Sequence, residues 1–352
     1  MSSDPNLVGT SDELLTDLLR SVSRSFYLTL RILPAPVRRP ISIAYLLARA
    51  SDTIADTELI DARKRVESLT QFDQAIQAVE RSPCDFGDYL SHQNKGSERE
   101  LLQRCDEALS LLDTVDTEDR ASIRNVLKTI ISGQRLDLER FRDASHDRVI
   151  CLQLAEDTDD YTYRVAGCVG EFWTKVCFKH LAPKRKDSMD QLVQLGIRFG
   201  KGLQLVNILR DFQEDLQQGR CYLPAEKLAA AGLDITEITS PDRTPQFSSI
   251  YQDYVSIARA HLKAGWEYTN LLPWSWIRLR LACAWPILLG VKTLDLLPAD
   301  SPLGAANKPK VSRSEVKKII AKSILLYPFQ RLWQRLPGDT LAESRSESVA
   351  RN

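Results

Sequence analysis

Apolar residues return every three or four positions along most of this chain, and stretches that alternate strictly between apolar and polar are scarce. That period predicts helices near residues 11–20, 38–56, 61–81, 98–113, 117–141, 158–181, 187–217, 249–271, 276–296 and 313–334. Polar or Gly/Pro-rich joints interrupt it at 82–97, 218–247 and 298–311. Beyond the last joint, Ser312-Arg313-Ser314-Glu315 has the form of a capping box, and Pro328 should kink or end the helix it opens. The most apolar run, Leu281 to Val291, lies between Arg280 and Lys292 and falls well short of the roughly 20 residues that span a bilayer. It predicts a buried helix. Residues 11–336 read as one all-α domain, with tails at 1–10 and 337–352, the second of them disordered.

Composition narrows the partners more than the fold. The 352 residues are 43% apolar, enough for a sizeable core. Lys plus Arg and Asp plus Glu are each 47, so the net charge is zero and nothing global attracts nucleic acid. An anionic ligand must then be held by local groups. No basic residue precedes Arg20, so no signal peptide is visible. The seven cysteines include no Cys-x-x-Cys pair, which disfavours a zinc site or a disulfide framework and agrees with a reducing cytoplasm. The expectation is a cytoplasmic monomer. It would touch a membrane only peripherally, through the amphipathic stretch Ser323–Leu336 with Trp333 and its arginines.

Polar residues inside apolar helices carry the candidate chemistry. Tyr45, Arg49, Asp52 and Asp56 are spaced by four, three and four, so one helix face presents all of them. Their neighbours Ile43, Ala44, Leu46, Leu47, Ala48, Ala50, Ile54 and Ala55 are apolar, the pattern of a buried helix. Two carboxylates four apart in that setting repel each other and lose hydration. An ordinary structural explanation stands beside this one: Arg49 neutralises Asp52 and Asp56 faces water.

A second face repeats the theme. Gln204, Asn207, Asp211 and Asp215 step by three, four and four through another apolar segment. Carboxylates and an amide oxygen form a hard donor set suited to Mg²⁺ rather than Zn²⁺. Arg210 and Arg220 lie near enough in sequence to pair with phosphate oxygens. Gly196, Gly200 and Gly202 each cost roughly 1 kcal/mol inside a helix, so a neighbouring helix or a ligand must approach closely there. The competing explanation is a surface helix with an acidic stripe, to which Glu214 would belong. Between the two faces, Tyr161 precedes a small-residue set, Ala166, Gly167 and Gly170, that invites close packing. Together the carboxylate pairs suit divalent ions bridging a diphosphate, whose departure leaves a carbocation that needs a dry, apolar cavity.

Ser23-Arg24-Ser25-Phe26, Tyr45-x-x-x-Arg49-x-x-Asp52-x-x-x-Asp56, Tyr161-x-x-x-Val165-Ala-Gly-x-Val-Gly170 and Gln204-x-x-Asn207-x-x-Arg210-Asp211-x-x-x-Asp215-x-x-x-x-Arg220 follow one another in this order. In these stretches the chain resembles the squalene and phytoene synthase family over roughly residues 15–295. The resemblance implies a single-domain isoprenoid-synthase helical bundle around a central apolar cavity. It implies that Asp52, Asp56, Asn207, Asp211 and Asp215 hold Mg²⁺. Ser23, Arg24, Phe26, Tyr45, Arg49, Gln204, Arg210 and Arg220 would contact two farnesyl diphosphates, and Tyr161 would handle a proton. The implied reaction is head-to-head condensation to a cyclopropyl diphosphate (presqualene diphosphate), followed by rearrangement.

Members of that family part at the last step. Leu281-Ala-Cys283-Ala-Trp285-Pro286 resembles the squalene branch, which reduces the final cation with NADPH, and Lys308, Lys310 and Arg313 resemble its basic segment for the cofactor. Two features resemble the other branch, which forms phytoene or dehydrosqualene by proton loss: Tyr163-Arg164 before Val-Ala-Gly, and Thr162 beside Tyr161. A presqualene diphosphate synthase without the second step is a further possibility. Other classes fit less well. Neither acidic motif begins with the adjacent aspartates of chain-elongating prenyltransferases, and no histidine follows a glutamate by three as a di-iron bundle requires. A purely structural helical scaffold leaves the polar faces unexplained.

Overall fold

A computed structural model describes residues 13–23, 26–78, 83–182, 189–238, 244–298, 303, 308–338 and 341. Arg24 and most of the two expected tails lie outside these residues. Helices account for nearly all the regular structure described. The one sheet among the described residues is a parallel pair of two-residue strands, β1 (Ile150–Cys151) and β2 (Arg220–Cys221), with Ile150 opposite Arg220.

Internal packing groups the chain into two compact units, Met1–Arg142 with Glu171–Asp187, and Asp143–Gly170 with Ser188–Asn352. Neither is continuous in sequence, unlike two domains strung on a linker. In the first unit lie α1 (Phe26–Ile32), α2 (Ala35–Ala55), α3 (Ala62–Gln77), α4 (Gly96–Gln103) and α5 (Thr117–Arg140). Helix α5 packs on both α2 and α3. Its Ile123, Leu127 and Ile131 share the buried core with Ile43, Leu46, Leu47 and Ile54 of α2, as the apolar circumference of α2 predicts. Asp61 and Asp116 accept hydrogen bonds from the Arg63 and Asp119 amides, which starts α3 and α5.

The second unit holds α6 (Ala155–Thr162), a π-helical turn at Tyr163–Gly167, the start of α7 (Cys168–Leu181), α8 (Met189–Gln217), α9 (Thr244–Leu271), α10 (Ile277–Asp295), α11 (Arg313–Leu326) and α12 (Gln330–Gln334). Helix α8 packs along α9, and α10 packs on both. The expected close approaches at glycine are helix backbones. A Cβ on Gly170 would strike the Gly196 carbonyl, and one on Gly200 the Ala166 carbonyl.

Several boundaries differ from the periodicity. The expected 158–181 helix is widened at Tyr163–Gly167, where one extra residue per turn brings Ala166 and Gly167 against α8. The expected 98–113 helix breaks at Arg104, whose φ −100°, ψ 22° leaves helical geometry. Ser312 does cap α11, accepting from the Glu315 amide at 3.2 Å, and the chain turns at Tyr327–Pro328 before α12. Leu281–Val291 falls within buried α10, and no described helix is long and apolar enough to cross a membrane.

Trp333 requires a correction. It is 0% exposed, stacked on Trp266 at 5.3 Å, and donates to Asn270 Oδ1, so it does not face a membrane. It belongs to an aromatic box of Trp274, Tyr327 and Trp333 around the buried Arg280 guanidinium, which also donates to the Asn270 and Leu272 carbonyls.

Candidate active site

Helix α2 buries Leu46, Leu47, Ala50, Ser51, Thr53 and Ile54 and leaves Tyr45, Arg49 and Asp52 half-exposed on its remaining face. Asp56, the helix's C-cap, is exposed. Phe26 of α1 stacks on Tyr45 with centroids 5.0 Å apart. Ser23 is buried, and its hydroxyl donates to the Leu19 carbonyl.

Arg49 sits 3.5 Å from Asp52 but makes its short contact, 2.6 Å, with Glu98 of α4. Burial draws its pKa down, while Asp52 and Glu98 outweigh that and raise it. Asp52 receives a 2.7 Å hydrogen bond from the Gln134 amide on α5. Loss of hydration and then Asp56 push its carboxyl up to about 7, against Arg49 and Gln134. Yet 44% of its side-chain surface is open. That open surface leaves the carboxylate accessible to a ligand. Gln134 is itself buried, and among the described residues its Oε1 has no hydrogen-bond partner. Neither Glu98 nor Gln134 stood out in the sequence, because each sits in an ordinary helical period far from the motif.

On α8 the second motif lies beside buried Leu205, Val206, Ile208, Leu209 and Phe212. Gln204, Asp211 and Asp215 are half-exposed, and Asn207 and Glu214 are exposed, so this face is an accessible acidic edge. Asn207 Nδ2 lies 3.4 Å from Gln204 Oε1. Arg210 grips Asp211 with both nitrogens, Nε to Oδ1 at 2.7 Å and Nη2 to Oδ2 at 2.6 Å. Lys308 reaches Asp211 at 2.8 Å and Glu214 at 2.6 Å. Burial raises the Asp211 pKa, but the hydrogen bonds from Arg210 and Lys308 bring it below its ordinary value. Arg220 lies on β2, directly after the turn that follows α8. Lys310 and Arg313 are exposed.

Tyr161, half-exposed near the end of α6, stacks face to face on Tyr222 at 4.8 Å. The Thr158 hydroxyl donates to the Tyr222 carbonyl, which fixes that partner. Arg164 pairs with Asp160 through its Nε, and Lys201 lies 5.8 Å from the Tyr163 ring centre.

Oxygen donors dominate both motifs, as Mg²⁺ requires. The first has an under-compensated carboxylate beside an orphaned amide oxygen, and this fits a hard cation. At the second, the same donors are now compensated by Arg210 and Lys308. A third group, Asp116, Asp119 and His180, has metal-ligand spacing. The Lys179 ammonium already stands within it, 2.6 Å from Asp116 and 2.9 Å from Asp119.

The family model described as squalene/phytoene synthase matches residues 19–315. A squalene synthase of Botryococcus braunii is 23% identical over 94% of this chain and 67% of its own length. The 15-cis-phytoene synthase of Synechocystis sp. is 30% identical over 61% of this chain, which spans 56% of that relative. Among solved structures, TcSQS in complex with the ligand E5700 superposes with a TM-score of 0.73 at 22% identity, covering 99% of this chain and 94% of that one. The chain thus has the all-α isoprenoid-synthase fold.

Proposed function

We propose that this chain, which belongs to the squalene/phytoene synthase family, condenses two farnesyl diphosphates head to head and carries the product on to squalene. In the first half, one farnesyl diphosphate loses its diphosphate, a carbon–carbon bond forms, and a proton leaves to give the cyclopropyl diphosphate. In the second, the remaining diphosphate departs, and conversion of the rearranged cation to squalene would take a hydride from NADPH as the reductant.

The observation that carries this reading is the setting of Asp52, a helix-borne carboxylate held by Gln134 beside that residue's unpaired Oε1. Asp52, Asp56, Asn207, Asp211 and Asp215 would hold Mg²⁺, which supplies charge neutralisation for the departing diphosphate. Arg49, Arg210 and Arg220 orient phosphate oxygens, and Gln134 fixes the Asp52 rotamer. The Phe26–Tyr45 stack offers an aromatic wall to a prenyl chain. Tyr161, steadied by Tyr222, presents its ring to a cation and its hydroxyl to the departing proton.

NADPH fits less well. Lys308 is engaged with Asp211 and Glu214, and Lys310 and Arg313 are surface cations, so the three do not converge on a phosphate-binding cluster. Proton loss instead of reduction is the second reading, favoured by Tyr163-Arg164 and by the phytoene synthase relative. Peripheral membrane contact falls to Leu325, Phe329 and Leu332, which are 70%, 58% and 47% exposed, rather than to Trp333.

Incubating the protein with farnesyl diphosphate and Mg²⁺, with and without NADPH, decides between these. Squalene formed only with NADPH supports the lead. Dehydrosqualene in both conditions replaces it, and turnover restricted to geranylgeranyl diphosphate points to phytoene. No hydrocarbon and no presqualene diphosphate from either substrate refutes the reading.

A further inference from the structure

Lys308 joins the basic segment to the second acidic motif. Its ammonium lies 2.8 Å from Asp211 Oδ1 and 2.6 Å from Glu214 Oε2, while Arg210 occupies both Asp211 oxygens. Two of the chain's own cations therefore compensate the carboxylate that a divalent ion would need. Asp52 differs: its nearest guanidinium, from Arg49, stands 3.5 Å away and is committed to Glu98 at 2.6 Å. Arg210 is held to Asp211 through two hydrogen bonds from one guanidinium on the same helix. Lys308 can leave, because it precedes α11 on an exposed stretch and is held to α8 by a flexible side chain.

We propose that Lys308 is a built-in counter-ion of the second motif, which competes with a divalent cation for Asp211 and Glu214 and frees residues 308–312 when displaced. The proposal rests on Asp211 being a cation ligand, as read above. A displaced ammonium stays beside the incoming ion's anionic partner and can pair with diphosphate oxygens, so its charge passes from carboxylate to substrate. The two motifs then load differently. At the first, Asp52 faces a guanidinium 3.5 Å away that is committed elsewhere, and the second takes a cation readily only when a diphosphate receives Lys308. Ion pairs this exposed are individually small, and two of them weaken cation binding by about three- to tenfold.

Calorimetric titration of the full chain with Mn²⁺, without substrate, tests this. Wild type should show a tighter and a weaker class of site, and Asp211→Asn should remove the weaker one. Lys308→Gln should tighten that weaker class by about three- to tenfold, and Lys308→Arg, which keeps the charge, should leave it near wild type. Saturating Mn²⁺ should also speed hydrogen exchange at residues 310–312 in wild type. Unchanged or weaker binding in Lys308→Gln, or unchanged exchange in that segment, overturns the proposal. If Asp211→Asn leaves both classes intact, the assignment of Asp211 as a ligand fails, which is a different result from failure of the Lys308 competition.

Discussion

Replacing Gln134 by leucine removes the 2.7 Å hydrogen bond to Asp52 and the orphaned Oε1 together. The Mg²⁺ concentration for half-maximal turnover should then rise about ten- to hundredfold, with helical circular dichroism unchanged. An unaltered Mg²⁺ dependence would reduce Gln134 to packing. Tyr161→Phe should lose most turnover while diphosphate binding persists, and wild-type kinetics would mean the hydroxyl plays no part. Asp52 stands out in the sequence as a carboxylate in an apolar helical period, and Tyr161 only through the family-like stretch that it opens. Gln134 does not stand out, since a single glutamine in a long amphipathic helix has no feature that marks it.

The start of α7 and the π-turn before it meet α8 where side chains are missing. Gly170→Ala pushes a methyl group into the Gly196 carbonyl, and it should cost about 1–3 kcal/mol in chemical denaturation. A neutral result would show that the α7–α8 approach is looser than described. A close approach was expected at Ala166, Gly167, Gly170 and Gly200 from their small size, with a helix or a ligand equally able to make it. The π-turn that delivers it was not expected, since Tyr163–Gly167 carries no sequence signal separating it from an α-helix. Farther along, Arg280→Met leaves the Asn270 and Leu272 carbonyls unpaired and empties the aromatic box. We expect a loss of about 3 kcal/mol and an altered near-ultraviolet signal from Trp274 and Trp333. Retained stability would show that the rings pack without the guanidinium.

Across the whole molecule, acid stability should carry the mark of His261. Burial, then Arg198 and Lys201, lower its pKa from 6.5 to about 4, against Asp159. Below 6.5 the unfolded chain gains a proton that the folded chain refuses, so stability is full above that pH and falls as pH drops towards 4. Asp52, raised from 3.8 to about 7, acts in the opposite sense across much the same window. The clean measurement is therefore the difference between wild type and His261→Gln, whose unfolding midpoints should converge or cross as pH falls from 6.5 to 4. Parallel curves would mean that His261 titrates alike folded and unfolded. The helical class, the buried α2 and α10, the two acidic faces and the need for a close approach at the glycines were readable along the chain. All of these follow from period and side-chain size, which are local along the chain. Which cation compensates which carboxylate, and whether Trp333 faces lipid or core, emerges only once the chain is folded. Lys308 and Glu214 stand 94 positions apart, Gln134 and Asp52 stand 82 apart, and Arg49 chooses Glu98 over its helical neighbour. Coulombic and hydrogen-bond energies depend on distance and burial in space, and the order of residues does not specify either.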